Sequence, residues 1–179
     1  MGVQAAARKE PRHPRSAADE TAVGAVDAID RQILAIVQTD GRIKLSELGR
    51  RVRLSPAAVT ERLRRLEASG AITGYGAHVS PARLGYGIQA FVRVNPHAGY
   101  SLRHPRALEL TGRPEILEAH HVVGEDCWIL KVAVTDTAHL EEILEQTSRL
   151  GRTTTSVVLS SPVERKPVLP PAPGAGASA

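Results

Sequence analysis

Residues Leu45 to Ile72 read LSELGRRVRLSPAAVTERLRRLEASGAI, and the rest of the chain is arranged around this stretch. Ser55 followed by Pro56 is a strong helix start. The serine hydroxyl caps free backbone N–H groups, and proline at the first helical position loses no needed donor. Val59, Leu63 and Leu66 recur at i, i+4 and i+7, so they share a face and belong to a core. At about 100° per residue, Ala57, Ala58, Glu61, Arg64 and Arg65 fall on the opposite face, with Thr60 and Arg62 at its flanks. Gly70 after Ser69 supplies a stop. Just upstream, Leu45, Leu48 and Val52 give a shorter helix its inward face. Two short helices joined by a tight turn predict a helix-turn-helix, whose second helix enters the DNA major groove.

The charge agrees. Between Arg42 and Arg65 stand Arg42, Lys44, Arg50, Arg51, Arg53, Arg62, Arg64 and Arg65, opposed only by Glu47 and Glu61. The window therefore carries +6 where the whole chain carries +4. Such clusters supply phosphate contacts, which give most of the non-specific affinity for duplex DNA. Small residues early in the second helix let its backbone approach base edges. The expected double-stranded DNA contacts are Arg42, Lys44, Arg53, Ser55, Ala57, Ala58, Thr60, Glu61, Arg62, Arg64 and Arg65. A solvated basic helix is the plainer alternative, and the preceding helix, the turn and the Ser-Pro start argue against it.

The chain has 179 residues, room for one medium or two small domains. Aromatics make up 3% of it, too few for a base-stacking reader of single strands. No run reaches the ~18 to 20 apolar residues of a membrane span. A single cysteine excludes an internal disulfide framework. Together these predict a cytoplasmic protein with no membrane partner. Residues 1–25 are Ala, Arg, Pro and charge without the apolar core of a secretion signal, and are expected to be a disordered tail. A first helix opens at Asp27, with Asp30 in its first turn. Its apolar face is Ile29, Ile33, Leu34, Ile36 and Val37, and Gly41 ends it. Gly49, inside the next helix, costs about 1 kcal/mol relative to Ala and predicts a close crossing of two helices.

AIDRQIL, followed by DGRIKLSELGRRVRLSPAAVTERLRRLEASGAITGY, resembles the N-terminal domain of the Lrp/AsnC (feast/famine) family of regulators. The resemblance continues to about residue 166. It implies a winged helix-turn-helix over 26–72, a hinge strand or linker over 73–85, and a ferredoxin-like effector-binding and oligomerisation domain over 86–166. Two positions depart from the family pattern. Lys44 stands where a small capping residue is frequent, and Arg53 where the turn often has glycine. A non-glycine residue at positive φ costs of order 1 kcal/mol.

The residues of the second half support that fold on their own. Ile88, Ala90, Val92 and Val94 alternate with Gln89, Phe91 and Arg93, a strand pattern. Arg106 to Thr111, ending at Gly112, suits a helix. Ile116–Val123 and Cys127–Val134 are two strand-length apolar runs, joined by a turn at Gly124-Glu125-Asp126. Asp136 caps a helix with Leu140, Ile143, Leu144 and Thr147 on one face, and Thr153–Val163 reads as the last strand. The order βαββαβ is the ferredoxin-like arrangement, so the class is α+β. The resemblance names this the regulator-of-amino-acid-metabolism domain. It implies sheets paired face to face in a homodimer, often assembled to an octamer. Residues 167–179, Pro-, Ala- and Gly-rich, are expected to be a second disordered tail.

The resemblance also implies an amino-acid effector in clefts between dimers. Here the matching positions are Val123, Gly124, Glu125, Asp126, Cys127, Arg152, Thr153 and Thr154. Backbone N–H groups around Gly124, with the Thr153 and Thr154 hydroxyls, suit the effector carboxylate. Glu125 or Asp126 suits its ammonium. Cys127 stands where the family often has aspartate, and Asp126 where it often has an aromatic. A bare hairpin turn is the competing reading of the loop.

No metal or other cofactor is expected. His120 and His121 are adjacent and point to opposite faces of a strand, and Cys127 has no partner spacing. No nucleophile or acid/base constellation marks an enzyme. The predicted function is a sequence-specific DNA-binding transcriptional regulator controlled by an amino acid. The alternative is an amino-acid-sensing metabolic module acting through protein contacts, which the arginine cluster disfavours.

Overall fold

The computed structural model describes residues 26–124 and 126–171. The expectations for residues 1–25, for 172–179 and for Glu125 fall outside the described residues. The chain parts into two compact units. One runs to Gly76 and takes up the chain again from Arg165; the other is Ala77–Glu164.

The first unit is three helices: α1 (Ala28–Thr39), α2 (Leu45–Val52) and α3 (Pro56–Ala68). Asp27 caps α1 by accepting from the N–H groups of Ile29 and Asp30, and the Asp30 carboxylate accepts from the Asp27 N–H in return. That is a reciprocal capping box built from two aspartates. Ser55 caps α3 by accepting from the Ala58 N–H at 3.2 Å. Lys44 gives α2 no side-chain cap, and Arg53 ends that helix at φ 58°, in the left-handed region the family resemblance led us to expect there. Ile33, Leu34, Leu48, Val52, Val59 and Leu66 form the core, with Leu63 and Ile72 packed against it.

Gly49 works differently from expectation. A Cβ there would lie 2.6 Å from the Leu54 carbonyl oxygen. The close approach is therefore made by the turn folding back on α2, where the Leu54 N–H donates to the Gly49 carbonyl at 2.9 Å. Neither the wing nor the hinge strand forms among the described residues: 73–80 have no ladder partner, and a single 3-10 turn, Pro81–Leu84, follows. A strand exists only beside a partner edge, and glycines at 74 and 76 add no propensity of their own. Tyr75 is held instead by its hydroxyl, which donates to Glu67 at 2.9 Å.

The second unit is a four-stranded antiparallel sheet of order β2-β3-β1-β4. Its strands are β1 (Ile88–Pro96), β2 (Ile116–His121), β3 (Trp128–Val134) and β4 (Gly151–Val157). Helices α4 (Pro105–Thr111) and α5 (Thr137–Ser148) pack on one face. Ala90, Val92, Val94, Trp128, Leu130, Val132, Leu110 and Ile143 fill the space between. The other face carries Gln89, Phe91 and Arg93, with Phe91 exposed. The last strand stops at Val157, short of the expected Val163. Val157 pairs with Ala90 and the Val158 N–H reaches Gln89 O, after which β1 has run out of partners.

The C-terminal segment also departs from expectation. Residues 168–171 lie against α1, sharing four hydrogen bonds with Arg31 and Gln38.

Candidate functional site

Eight cations crowd the helix-turn-helix, and the structure divides them by partner. Arg50 and Arg51 both donate to Glu47 at 2.8 Å. Those two guanidinium groups, Arg50 first, pull the Glu47 carboxyl down to about 2. The Arg62 guanidinium lies 2.6 Å from Asp27 and 2.9 Å from Asp30; Arg65 lies 2.7 Å from Asp30. Asp30 is 1% exposed, so its charge is compensated almost wholly by these two arginines and the Asp27 N–H. The hydrogen bond from Arg62 is the main cause holding the Asp27 carboxyl below its ordinary value. Arg42, Lys44, Arg53 and Arg64 have no ion-pair partner among the described residues.

This sorting refines the face read from the sequence. Ala57, Glu61 and Arg64 are exposed together along α3, with Ala58 and Thr60 half-buried beside them. Thr60 spends its hydroxyl on the Pro56 carbonyl at 2.8 Å. Ser55 spends its own on the helix cap. Arg62 is turned to α1 and is 23% exposed, whereas Arg65 keeps 55% exposure while holding Asp30 with one nitrogen. The three-residue interval between Arg62 and Arg65 puts both on the α1 side of α3, and Arg64 is directed away. Sequence reading missed Asp27 and Asp30 as partners of these arginines, because pairings 32 to 35 residues apart leave no local pattern.

In the second unit the turn after β2 is closed by the Val122 N–H on the Cys127 carbonyl at 2.8 Å. Gly124 has φ 152°, and Val123 projects fully into solvent. Cys127 is half-buried and packs against the apolar core. Asp126 meets Arg93 of β1 at 3.5 Å. Arg93 pairs with Thr154 of β4 in the ladder. One side chain absent from the sequence-derived set thus lies between the two segments of that set. Its signal was available: Arg93 is a lone charge in an otherwise uncharged β1.

The threonines need correction. Thr153 pairs with buried Val94 and faces the helix layer, while Thr154 pairs with Arg93 and faces outward with Arg152. Neighbouring strand residues point to opposite faces, so the two hydroxyls cannot converge on one carboxylate. Among the described residues no group of three His, Cys, Asp or Glu side chains is placed to hold a metal. No helix among them is long and apolar enough to cross a membrane.

Residues 26–67 match the AsnC-type helix-turn-helix domain and residues 89–168 match the Lrp/AsnC ligand binding domain. The chain belongs to the Lrp/AsnC family. It is 38% identical over 137 residues to the uncharacterized HTH-type transcriptional regulator YezC of Bacillus subtilis, covering 76% of this chain and 95% of that one. The fold matches the solved structure of LrpC from B. subtilis with a TM-score of 0.74 at 29% identity, over 79% of this chain and 100% of that one. A Neisseria meningitidis transcriptional regulator solved with L-methionine matches with the same TM-score and identity, over 80% and 96%. This Lrp/AsnC protein is a DNA-binding transcriptional regulator of the helix-turn-helix type.

Proposed function

We propose that this regulator reads duplex DNA with the outer face of α3 and is tuned by a free amino acid held beside Arg93. For DNA, the supporting observation is the division of the cations. Arg42, Lys44, Arg53 and Arg64 are free to meet phosphates, while Arg62 and Arg65 set the angle of α3 through Asp27 and Asp30. Ala57, Ala58 and Glu61 then lie nearest the bases.

For the effector, the observation that carries the reading is Arg93 between Asp126 and Thr154. A guanidinium receives the carboxylate of an amino acid, and Asp126, released from Arg93, receives its ammonium. The N. meningitidis relative was solved with L-methionine, an amino acid of this class. Sheets paired face to face join two subunits, and four such dimers close to an octamer in the cytoplasm.

Arg64→Ala weakens operator binding and lowers the slope of log K against log[salt] by about 1, since one phosphate contact is gone. An unchanged slope and affinity in a salt titration would show that α3 does not meet the duplex as described. For the effector, thermal melting is followed against the twenty amino acids one at a time. A ligand at about 100 times its Kd adds ~2.7 kcal/mol to the folded form, so a true effector raises Tm by several degrees. Arg93→Gln removes that rise; if no amino acid raises Tm in the wild-type chain, the effector assignment fails. Light scattering that shows a monomer at micromolar concentration removes the paired sheet.

A further inference from the structure

We propose that the surface of α1 bearing Arg31 and Gln38 is a docking site for an extended proline-rich segment, and that its occupant is this chain's own Pro167–Pro171. The surface lies in the helical unit, on α1 and not on the outer face of α3. Gln38 treats Val168 as a neighbouring strand would. Its side-chain oxygen accepts the Val168 N–H at 2.8 Å, and its side-chain nitrogen donates to the Val168 carbonyl at 2.9 Å. Arg31 donates to two successive carbonyls, Pro170 at 2.6 Å and Pro171 at 2.9 Å.

The spacing on the two sides agrees. Arg31 and Gln38 are seven residues apart, two helical turns or about 10 Å along α1. Val168 to Pro171, in an extended proline-rich backbone at about 3.1 Å per residue, spans about 9 Å. The tail therefore runs antiparallel to α1, with its start at the helix C-terminus.

The chemistry explains why such a segment is the right occupant. Proline has no N–H to donate, so a proline-rich segment cannot build its own ladder and its carbonyls need donors from elsewhere. Arg31 supplies them. Proline also holds the backbone extended in advance, so little conformational freedom is lost on docking. Contacts made to the main chain leave the Val168 side chain largely, and the Leu169 side chain half, in solvent. α1 is the helix whose Asp27 and Asp30 hold the arginines of α3, so a strap along it steadies the helix that orients the DNA reader.

The test uses the full chain, tail variants, a tail truncation and one α1 variant, and the tail changes leave the sheet core and its Trp128 signal unchanged. Val168→Pro removes the N–H that Gln38 accepts; Leu169→Pro removes an N–H that has no partner among the described residues and serves as control. Termination after Glu164 removes the strap altogether. Val168→Pro and the truncation each speed amide exchange across Ala28–Thr39 by about fivefold, as expected for a helix that loses one of its supports. Both also move the Gln38 side-chain amide resonances; Leu169→Pro does neither. Adding the synthetic peptide RKPVLPP to the truncated chain returns the Gln38 resonances to their full-length positions, and Arg31→Ala in the truncated chain abolishes that return. If truncation leaves the Gln38 amide resonances and the exchange of α1 unchanged, the strap does not exist in solution.

Discussion

The helical unit and the sheet unit bury different things. In the sheet unit, apolar side chains from three strands and two helices converge on one layer, and Val92, Val94, Val132, Val134 and Ile143 are wholly out of solvent. In the helical unit the core is six residues, and at its side lies Asp30, almost fully buried and tied to two arginines of another helix. The sheet domain is held by shape, and the helical unit by a small core supplemented with charge. The difference suits their tasks. A rigid scaffold gains from dense apolar packing. A DNA reader must display many cations, and a buried carboxylate lets two of them act as struts between helices.

The largest effect that separates the units is expected from Ile143→Ala. Ile143 is fully buried between α5 and the sheet, and its loss costs about 3–4 kcal/mol through transfer and cavity terms. The chain's single tryptophan, Trp128, lies in the same core, so its fluorescence reports this unit alone. The fluorescence transition moves to lower temperature while exchange protection of α1–α3 stays. Equal loss in both units would show that they unfold as one, and the contrast drawn above would go.

Asp30→Ala comes next. It leaves Arg62 and Arg65 without their buried partner and opens half of the capping box. Breaking a fully buried pair costs ~3–5 kcal/mol, but both arginines are partly solvated, so about 2 kcal/mol is expected here. The loss appears in the helical unit only, and DNA affinity falls with it because α3 is no longer held. Acid distinguishes the two units less. Asp27 and Glu115 both have folded values lowered from the ordinary range, Glu115 to about 2, chiefly by the Arg113 guanidinium. Each contributes stability that is present above its unfolded value and is lost as pH falls through its folded one. For Glu115 that window runs from 4.5 down to about 2. Stability of the sheet unit therefore declines across this range in denaturant titrations, and Glu115→Gln flattens the decline.

The same contrast explains what could be read before the structure. Apolar period is a local signal, so the three helices, β1 and the helix capped by Asp136 were legible from Val59-Leu63-Leu66, Val92-Val94 and Leu140-Ile143. Charge pairing is not local: nothing near Asp30 names Arg62 and Arg65 as its partners. The end of β4 depended on the length of β1, which a run of β-branched residues from Thr153 does not reveal. The opposite facing of Thr153 and Thr154 was legible from strand parity alone. The docking of Pro167–Pro171 was hidden because it is made through main-chain carbonyls that every residue possesses. For the effector set, sequence likeness supplied the loop and β4 segments, and only the β1–β4 register placed Arg93 between them.

Arg53 offers the smallest and most discriminating effect. It sits at φ 58°, where a side chain is strained by about 1 kcal/mol and glycine is not. Arg53→Gly relieves that strain but enlarges the freedom of the unfolded chain, which offsets part of the gain. The net expectation is a helical unit more stable by about 0.5 kcal/mol, read as slower exchange in α2 and α3. DNA binding moves the other way. Arg53 has no ion-pair partner among the described residues, and the phosphate contact proposed for it would offset a costly side chain at this turn. Its removal lowers the salt slope by about 1. A variant that gains stability and keeps its full salt slope would assign Arg53 no part in binding, leaving its strain without compensation and the charged side of the comparison resting on Asp30 alone.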